Sequence, residues 1–182
     1  MTDIKYTITF FSNWHCGSGL AAGTDVDELV IKYHNGLPYV PGRTIKGLLR
    51  EAAMMLSQFI DVPQESINRL FGLSGDVASL GHNKVSFTNA TLSDDEQAVI
   101  KAENLARYLY QSVASTAIGV NGIAKEHLLR KIETTIPCVV HGQVLNVYEC
   151  DKVLLLQTFK WVKRIGLGRN RGYGRCVISE EK

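Results

Sequence analysis

A loop near the C-terminus combines glycine and arginine in a way that suits phosphate binding. Residues 166–175 read GLGRNRGYGR, with four glycines and three arginines. Glycine lets the backbone approach a ligand closely, so that free N–H groups can face phosphate oxygens. Arginine adds a planar fork that matches phosphate, and tyrosine offers a ring for base stacking. The loop therefore predicts nucleic-acid contacts by Gly168, Arg169, Asn170, Arg171 and Tyr173.

A second group of cations lies at a predicted helix start. Residues 38–50 read PYVPGRTIKGLLR, and the helix is expected to begin near Thr44. A helix N-terminus has N–H groups without intrahelical partners and the positive end of the helix dipole, which together favour an anion. Arg43, Lys46 and Arg50 add three positive side chains there. We therefore predict a second anion site in this segment.

The charges of the chain are unevenly distributed, although its net charge is only +2. Residues 160–175 contain six basic side chains and no acidic one, whereas acids gather at 94–96 and 180–181. This clustering indicates a basic face suited to nucleic acid. A Rossmann or P-loop interpretation fails, because no strand precedes the glycines and no GKS or GKT motif is present. The alternative for the loop is a solvated turn with incidental charge.

The cysteines and the hydropathy of the chain indicate its compartment. Four cysteines form no CxxC pair and have no histidine at zinc-finger spacing, so we expect reduced thiols at Cys16, Cys138, Cys150 and Cys176. The chain has no signal-peptide pattern and no run of about 18 apolar residues. The sequence therefore predicts a cytoplasmic protein that does not enter a membrane.

Strand and helix signals alternate along the chain. Strands are predicted at Lys5–Phe11, Leu29–Tyr33, Leu37–Val40, Lys84–Ala90, Ile136–Tyr148 and Arg175–Ser179. Helices are predicted from near Thr44 and at Gln64–Phe71, Ser93–Gln111 and Asp151–Ile165. The turn signal Asn35-Gly36 favours an antiparallel sheet. We therefore predict one α+β domain, 1–182, with a ferredoxin-like core and insertions around 61–83 and 112–133, the second a protruding loop.

Three motifs in this order resemble a known family. They are HCGSG at 15–19 after the first strand, PYVPGRTIKGLLR at 38–50 and GLGRNRGYGR at 166–175. Together they resemble the RAMP superfamily of CRISPR-associated proteins, most nearly the repeated backbone subunit of type III effector complexes. The resemblance spans essentially the whole chain. The segment 123–133 is also similar to the family segment that follows a thumb-like projection.

The resemblance implies a fold, a set of partners and site residues. The fold would be a modified RRM-like, ferredoxin-like antiparallel sheet with helices on one face and a thumb-like projection. Guide RNA, target RNA, other CRISPR effector subunits and stacked copies of the chain would be its partners. The chain is somewhat short for this subunit, so the thumb or the insertion around 61–83 is expected to be abbreviated. The guide-RNA contacts would be Lys46, Arg50, Arg169, Arg171 and the loop glycines, joined by His15, Ser18 and Arg43.

The resemblance also implies a residue that cuts RNA. An aspartate in the loop before the second strand is required for target cleavage in type III backbone subunits, and its position falls on Asp27, or on Asp25 if the register slips by two. A carboxylate there can hold Mg²⁺ or another divalent cation near the scissile phosphate. Asp27 is therefore the predicted catalytic residue and metal ligand of an endoribonuclease.

Two alternatives remain open at the level of the sequence. The first is a RAMP subunit that binds guide RNA and scaffolds the complex without catalysis, for which no cofactor is expected. The second is an unrelated RRM-like RNA-binding protein or a metabolic α+β protein. The sequence lacks the paired aromatic-rich strand motif of single-strand RRM proteins, which disfavours the RRM-like form of this second alternative.

Overall fold

Two antiparallel sheets and four α-helices form the part of the chain described by our computed structural model, namely residues 1–20, 26–72, 85–116, 121 and 129–181. The strands are β1 (Thr2–Phe10), β2 (Tyr39–Val40), β3 (Ser86–Phe87), β4 (Ala90–Thr91), β5 (Tyr110–Ser115), β6 (Arg130–Thr135), β7 (Val139–Val147) and β8 (Cys176–Glu180). The helices are α1 (Gly42–Leu56), α2 (Gln64–Phe71), α3 (Asp94–Ala102) and α4 (Glu149–Trp161). The predicted α+β class is therefore confirmed.

The main sheet is organised around β1. Its strand order is β2-β4-β7-β1-β8, with β3 also paired to β7, and every pairing is antiparallel. Alternate residues of β1 are fully buried, as expected of a strand with one face on a core, and they are Ile4, Tyr6, Ile8 and Phe10. β1 therefore positions the segment that follows it, which contains His15.

The helices α1, α2 and α4 pack together against the sheet. The Tyr6 ring of β1 lies 5.3 Å from the Phe159 ring of α4, centroid to centroid. The predicted helix α2 has the predicted bounds, Gln64–Phe71. The start predicted for α1 was wrong by three residues, because the N-cap is Pro41, not Thr44, and the helix begins at Gly42. The fixed φ of proline suits this start, and its carbonyl accepts the N–H groups of Thr44 and Ile45.

The predicted strand Leu29–Tyr33 is wrong. This segment changes its partner every second residue, since Glu28 bridges to Ile132, Val30 to Gly17 and Lys32 to Pro38. No single neighbour runs beside it long enough to make a ladder. The segment instead ties the loop after β1 to β6, which places Glu28, the residue before it, at the candidate site.

Two further predictions differ from the structure, the end of the helix after Ser93 and the loop at 112–133. The predicted helix Ser93–Gln111 ends at Ala102, soon before Asn104 adopts a left-handed φ of 52°, although the predicted Ser93–Glu96 capping box is present. The protruding loop predicted at 112–133 contains paired strands, β5 and β6, with Tyr110 opposite Thr135. Parts of this segment, and parts of the insertion and strand predicted between 61 and 90, lie outside the described residues.

Helix α4 ends at Trp161, not at the predicted Ile165. The backbone becomes extended at Val162, and the N–H of Ile165 donates to the carbonyl of Gly174 at 2.9 Å. Pairing with the chain that returns into β8 therefore replaces the last helical turn. Lys163 and Arg164 consequently lie beyond the helix, at the base of the glycine-arginine loop.

The thiols are expected to differ strongly in reactivity, because only the thiolate reacts. Burial raises the pKa of Cys16 and of Cys176 to about 12, and that of Cys138 to about 11, whereas Cys150 is exposed. With an aromatic disulfide reagent at neutral pH, we expect one fast thiol in the native protein and all four after unfolding. The variant C150S should remove the fast phase. A fast phase that persists in C150S would contradict this structure.

Candidate nucleic-acid interface

The glycine-arginine loop is the tip of a hairpin-like connection between α4 and β8. It is fixed to the segment after β1 by two backbone hydrogen bonds. The N–H of Leu167 donates to the carbonyl of His15 at 2.8 Å, and the N–H of Gly174 donates to the carbonyl of Asn13 at 2.8 Å. Inside the loop a short 3-10 turn spans Arg169–Arg171. These bonds hold Arg169 beside the segment that follows β1.

Two glycines of the loop are required by the fold itself. Gly166 and Gly174 have φ values of +96° and +66°, which side-chain-bearing residues rarely adopt. A Cβ at Gly166 would also clash with the carbonyl of His15, and one at Gly174 with the carbonyl of Ile165. The close approach predicted toward a ligand is therefore, at these two positions, an approach to the chain's own backbone. Gly172 also has a left-handed φ, +91°, but a Cβ there would meet nothing within 4 Å, so only its backbone conformation favours glycine.

A cleft of about 380 Å³ lies where this loop meets α1 and the segment after β1, and we call it the central cleft. Arg43, from the first turn of α1, and Arg169, from the loop, both line it, and both side chains are exposed. The other lining residues are His15, Cys16, Gly17, Glu28, Pro41, Thr44, Leu48, Gly166 and Leu167. Two predicted anion-binding segments that are distant in sequence are thus brought to one place.

The backbone at the start of α1 is partly satisfied within the chain. The N–H of Gly42 donates to Oδ1 of Asn89 at 3.0 Å, and the N–H of Thr44 donates to the carbonyl of Pro41 at 2.9 Å. These N–H groups are therefore not free for an anion, contrary to the prediction. The attraction for an anion rests instead on the helix dipole and on the guanidinium of Arg43.

His15 is only 1% exposed, yet it lines the central cleft. Its Nδ1 lies 2.6 Å from the carbonyl oxygen of Glu133, and a carbonyl only accepts, so Nδ1 carries a proton and donates. Its Nε2 has no hydrogen-bond partner among the described residues and lies 3.8 Å from a carboxylate oxygen of Glu28. The ring is therefore held by one nitrogen, while the other is unsatisfied at the wall of the cleft.

Ser18, the other residue predicted from the glycine loop, is engaged locally. Its hydroxyl donates to the carbonyl of Leu29 at 3.1 Å and accepts from the N–H of Leu20 at 3.1 Å. Both bonds shape the turn that leads away from the cleft. The hydroxyl of Ser18 is thus already committed to the loop, and Ser18 does not line the central cleft.

A larger cleft of about 640 Å³ separates the glycine-arginine loop from the strands β5 and β6, and we call it the hairpin cleft. It receives Arg169, Asn170, Arg171 and Tyr173 from the loop and Arg130 from β6. Tyr173 is half-buried, and its ring packs close to Gly168. The predicted loop residues therefore share one basic surface, to which Arg130 is an addition that the sequence did not indicate.

Lys46 and Arg50 lie on a different surface. Both are half-buried on α1 and neither lines the two clefts. At 3.6 residues per turn, their side chains leave the helix on the flank opposite Leu48, which does line the central cleft. Of the three cations predicted on α1, only Arg43, in the first turn, lines the central cleft, whereas Lys46 and Arg50 lie further along the helix and line neither cleft.

Asp27 is exposed and fixed to β6 by two hydrogen bonds. Its N–H donates to the carbonyl of Lys131 at 2.8 Å, and its Oδ2 accepts from the N–H of Lys131 at 2.7 Å. Within the described residues, no group of three or more His, Cys, Asp or Glu side chains could hold a metal ion. Asp25, the alternative position, lies outside the described residues. Among the described residues, the carboxylate of Asp27 is therefore an anchored acid that is not part of a group of metal ligands.

Glu133 organises the site, although no sequence pattern singled it out. Its carboxylate accepts from Lys32 at 2.7 Å and from the N–H of Val30 at 3.1 Å, while its carbonyl accepts from His15. Lys32 in turn lies 3.7 Å above the ring of Tyr110. These partners come from separate parts of the chain, so the role of Glu133 becomes visible only in three dimensions.

The fold and the two clefts define a class: an α+β protein with a ferredoxin-like antiparallel sheet and an arginine-lined surface on the loops beside it. The model of the RAMP superfamily matches residues 7–177. The chain therefore belongs to the RAMP superfamily. No curated protein sequence shows a significant match, and no helix in the described ranges is long and apolar enough to span a membrane.

Two solved structures show the same fold. A chain of the type III-B Cmr-beta complex bound to cognate target RNA has a TM-score of 0.74 at 9% sequence identity, with 99% of this chain and 97% of that chain covered. A chain of the type III-B Cmr-beta complex in its apo state has a TM-score of 0.70 at 11% identity, with the same coverage of 99% and 97%. The predicted ferredoxin-like fold of the RAMP proteins is thus confirmed.

Proposed function

We propose that the chain is a guide-RNA-binding backbone subunit of a type III CRISPR ribonucleoprotein in antiviral defence. The observation that carries the proposal is the central cleft, in which Arg43 and Arg169 line one space although they are distant in sequence. Membership of the RAMP superfamily supports it, and so does the fold shared with a chain of a complex bound to target RNA. Target RNA, other effector subunits and stacked copies of the chain are its proposed partners, in the cytoplasm.

The geometry favours recognition of the RNA backbone over recognition of bases. Guanidinium groups at Arg43, Arg169, Arg171 and Arg130 match phosphate oxygens, and phosphate contacts carry no sequence information. Nε2 of His15 can serve one further oxygen in the central cleft. The subunit would therefore hold any guide in the same register, leaving specificity to base pairing.

We further propose that the subunit cleaves target RNA, with Asp27 as the catalytic residue. Its exposed carboxylate fits Mg²⁺, which often binds one or two carboxylates together with phosphate oxygens and water. Such an ion, when bound, would stabilise charge on the reacting phosphate. The N–H of Lys131 orients the carboxylate, and the guanidinium of Arg169 would position the RNA. The alternative is a subunit that binds guide RNA and does not cut.

The variants R43A and R169A are expected to weaken binding of a single-stranded guide RNA for all sequences alike. Each removes one phosphate contact, so the slope of log affinity against log salt should become shallower by about 0.7 per variant. Fluorescence anisotropy with labelled RNAs of several sequences, over a series of salt concentrations, measures both effects.

The matched control is K101A, which removes an exposed cation from α3, a helix without buried residues. Its affinity and salt slope should equal those of the unaltered protein. If R169A retained the original slope, or lost affinity for only some sequences, Arg169 would not be a phosphate contact. If the unaltered chain bound no RNA, the proposed function itself would fail.

A further inference from the structure

The two tryptophans of the chain have opposite environments. Trp14 is fully buried, whereas Trp161, the last residue of α4, is 43% exposed. Its nearest ring is that of Phe59, which is 70% exposed, with 6.1 Å between the ring centroids. Isolated apolar side chains on a surface need no explanation, but an exposed aromatic pair beside a groove indicates a contact site.

Trp161 lines a groove of about 330 Å³ between α1 and the end of α4. The apolar wall includes Leu48 and Met55, and the basic wall consists of Lys163, Arg164 and Arg169. Glu51 is the one acidic side chain in the lining. The groove therefore combines an aromatic ring with three cations, and we call it the tryptophan groove.

The tryptophan groove continues into the surfaces already described. Leu48 and Arg169 line both it and the central cleft, and Asn170 and Arg169 line both it and the hairpin cleft. Arg164 donates a hydrogen bond to the carbonyl of Arg169, which fixes the loop at the junction. A polyanion held at Arg169 would thus reach the groove without leaving the basic surface.

We propose that the tryptophan groove is a stacking site for an unpaired base of the RNA whose phosphates lie at Arg169. The proposal rests on the proposed function. The indole face accepts any base, since every base has a π-face, while the neighbouring cations neutralise the adjoining phosphates. The excess of positive charge and the continuity with the central cleft favour RNA over an apolar protein segment. Lys46 and Arg50, on the opposite flank of α1, lie outside this path.

The test uses the full chain, an oligoadenylate of guide length and a matching RNA with abasic positions. Stacking on the indole should quench the emission of Trp161 on RNA binding, whereas Trp14 is shielded. W161A should weaken RNA binding by about 5- to 150-fold, corresponding to roughly 1–3 kcal/mol for one stacked base. The salt slope should stay unchanged, because no phosphate contact is lost. W161F should retain most of the affinity, and abasic RNA should bind more weakly to the unaltered protein but not to W161A.

The outcomes separate this inference from the proposed function. If RNA binds with the expected salt slope but W161A binds as tightly as the unaltered protein, the stacking site is wrong and guide binding stands. If W161A leaves RNA affinity intact but reduces self-association in sedimentation velocity, the groove is a protein interface and the inference is overturned. If the unaltered chain binds no RNA at any salt concentration, the proposed function fails first.

Discussion

Replacing Asp27 with asparagine is expected to reduce cleavage of guide-complementary RNA by roughly 100-fold or more, while binding of guide and target persists. A single charged group that stabilises a transition state contributes about this much. The asparagine amide keeps an oxygen that can accept the Lys131 N–H, now 2.7 Å from the carboxylate, so the local fold should survive. Gel analysis of labelled target in the assembled complex with Mg²⁺ measures the loss.

The asparagine variant is more informative than alanine for this site. D27A removes both the charge and the hydrogen-bond acceptor, so a loss of cleavage could result from the missing carboxylate or from the lost contact to β6. An exposed acid of α3 provides the matched control, and D95N should cut at the original rate. Unchanged cutting in D27N would refute the role of Asp27. If the unaltered complex binds target with Mg²⁺ present but never cuts it, the subunit is the non-catalytic alternative.

The second large effect concerns stability and a buried carboxylate between α2 and α4. Asp151 is fully buried and accepts two hydrogen bonds from Arg69, at 2.9 Å from Nε and 2.8 Å from Nη2. Removing one partner of a buried ion pair costs about 3–5 kcal/mol, because the other charge stays buried without a partner. We expect R69A to lower the free energy of unfolding by an amount near the smaller of these values. The lower end applies because the Arg69 side chain is 36% exposed and partly solvated. Denaturant titration measures the change.

The reciprocal substitutions give graded controls. D151A should cost less than R69A, since the stranded partner is then a guanidinium that can turn toward solvent. E65A should change stability by less than about 1 kcal/mol, because Glu65 is 89% exposed and lies 3.8 Å from Arg69. An equal loss of stability in all three variants would contradict the buried position of Asp151.

The same pair has a defined dependence on pH. Burial raises the pKa of Asp151, but the hydrogen bonds from Arg69 and Ser66 outweigh it, so the pKa lies below the ordinary carboxyl value. A lowered pKa stabilises the fold above the ordinary value, and this contribution is lost as pH falls through the folded-state pKa. In R69A the hydrogen bonds from Arg69 are lost, so burial is expected to raise the pKa of Asp151 above the ordinary carboxyl value. The ionised carboxylate then destabilises the fold at neutral pH. The stability difference between R69A and the unaltered protein should therefore shrink from pH 7 to pH 4.

Much of the fold was predictable from local patterns. The alternation of apolar residues in β1 and their helical spacing in α1 indicate which side chains face the core. Both patterns involve residues that are close together in the sequence, so they can be recognised without the tertiary structure. The bounds of α2 and the capping box before α3 were likewise predicted. Local sequence failed at 29–33 and after Trp161, because the backbone there pairs with segments distant along the chain.

The amino-acid sequence alone determined the composition of the candidate site, namely a glycine-arginine loop, a cationic helix start and an acidic segment around Asp27. This was possible because the charge and hydrogen-bonding groups of a side chain follow from the residue type. Only the tertiary structure decided which of these meet. It placed Arg43 with Arg169 in the central cleft, which Lys46 does not line, since the surface that a helical side chain faces is fixed only once the helix has packed. It also brought Glu133 to His15 and Trp161 to the basic surface, because contacts between distant segments depend on how the sheet and helices pack.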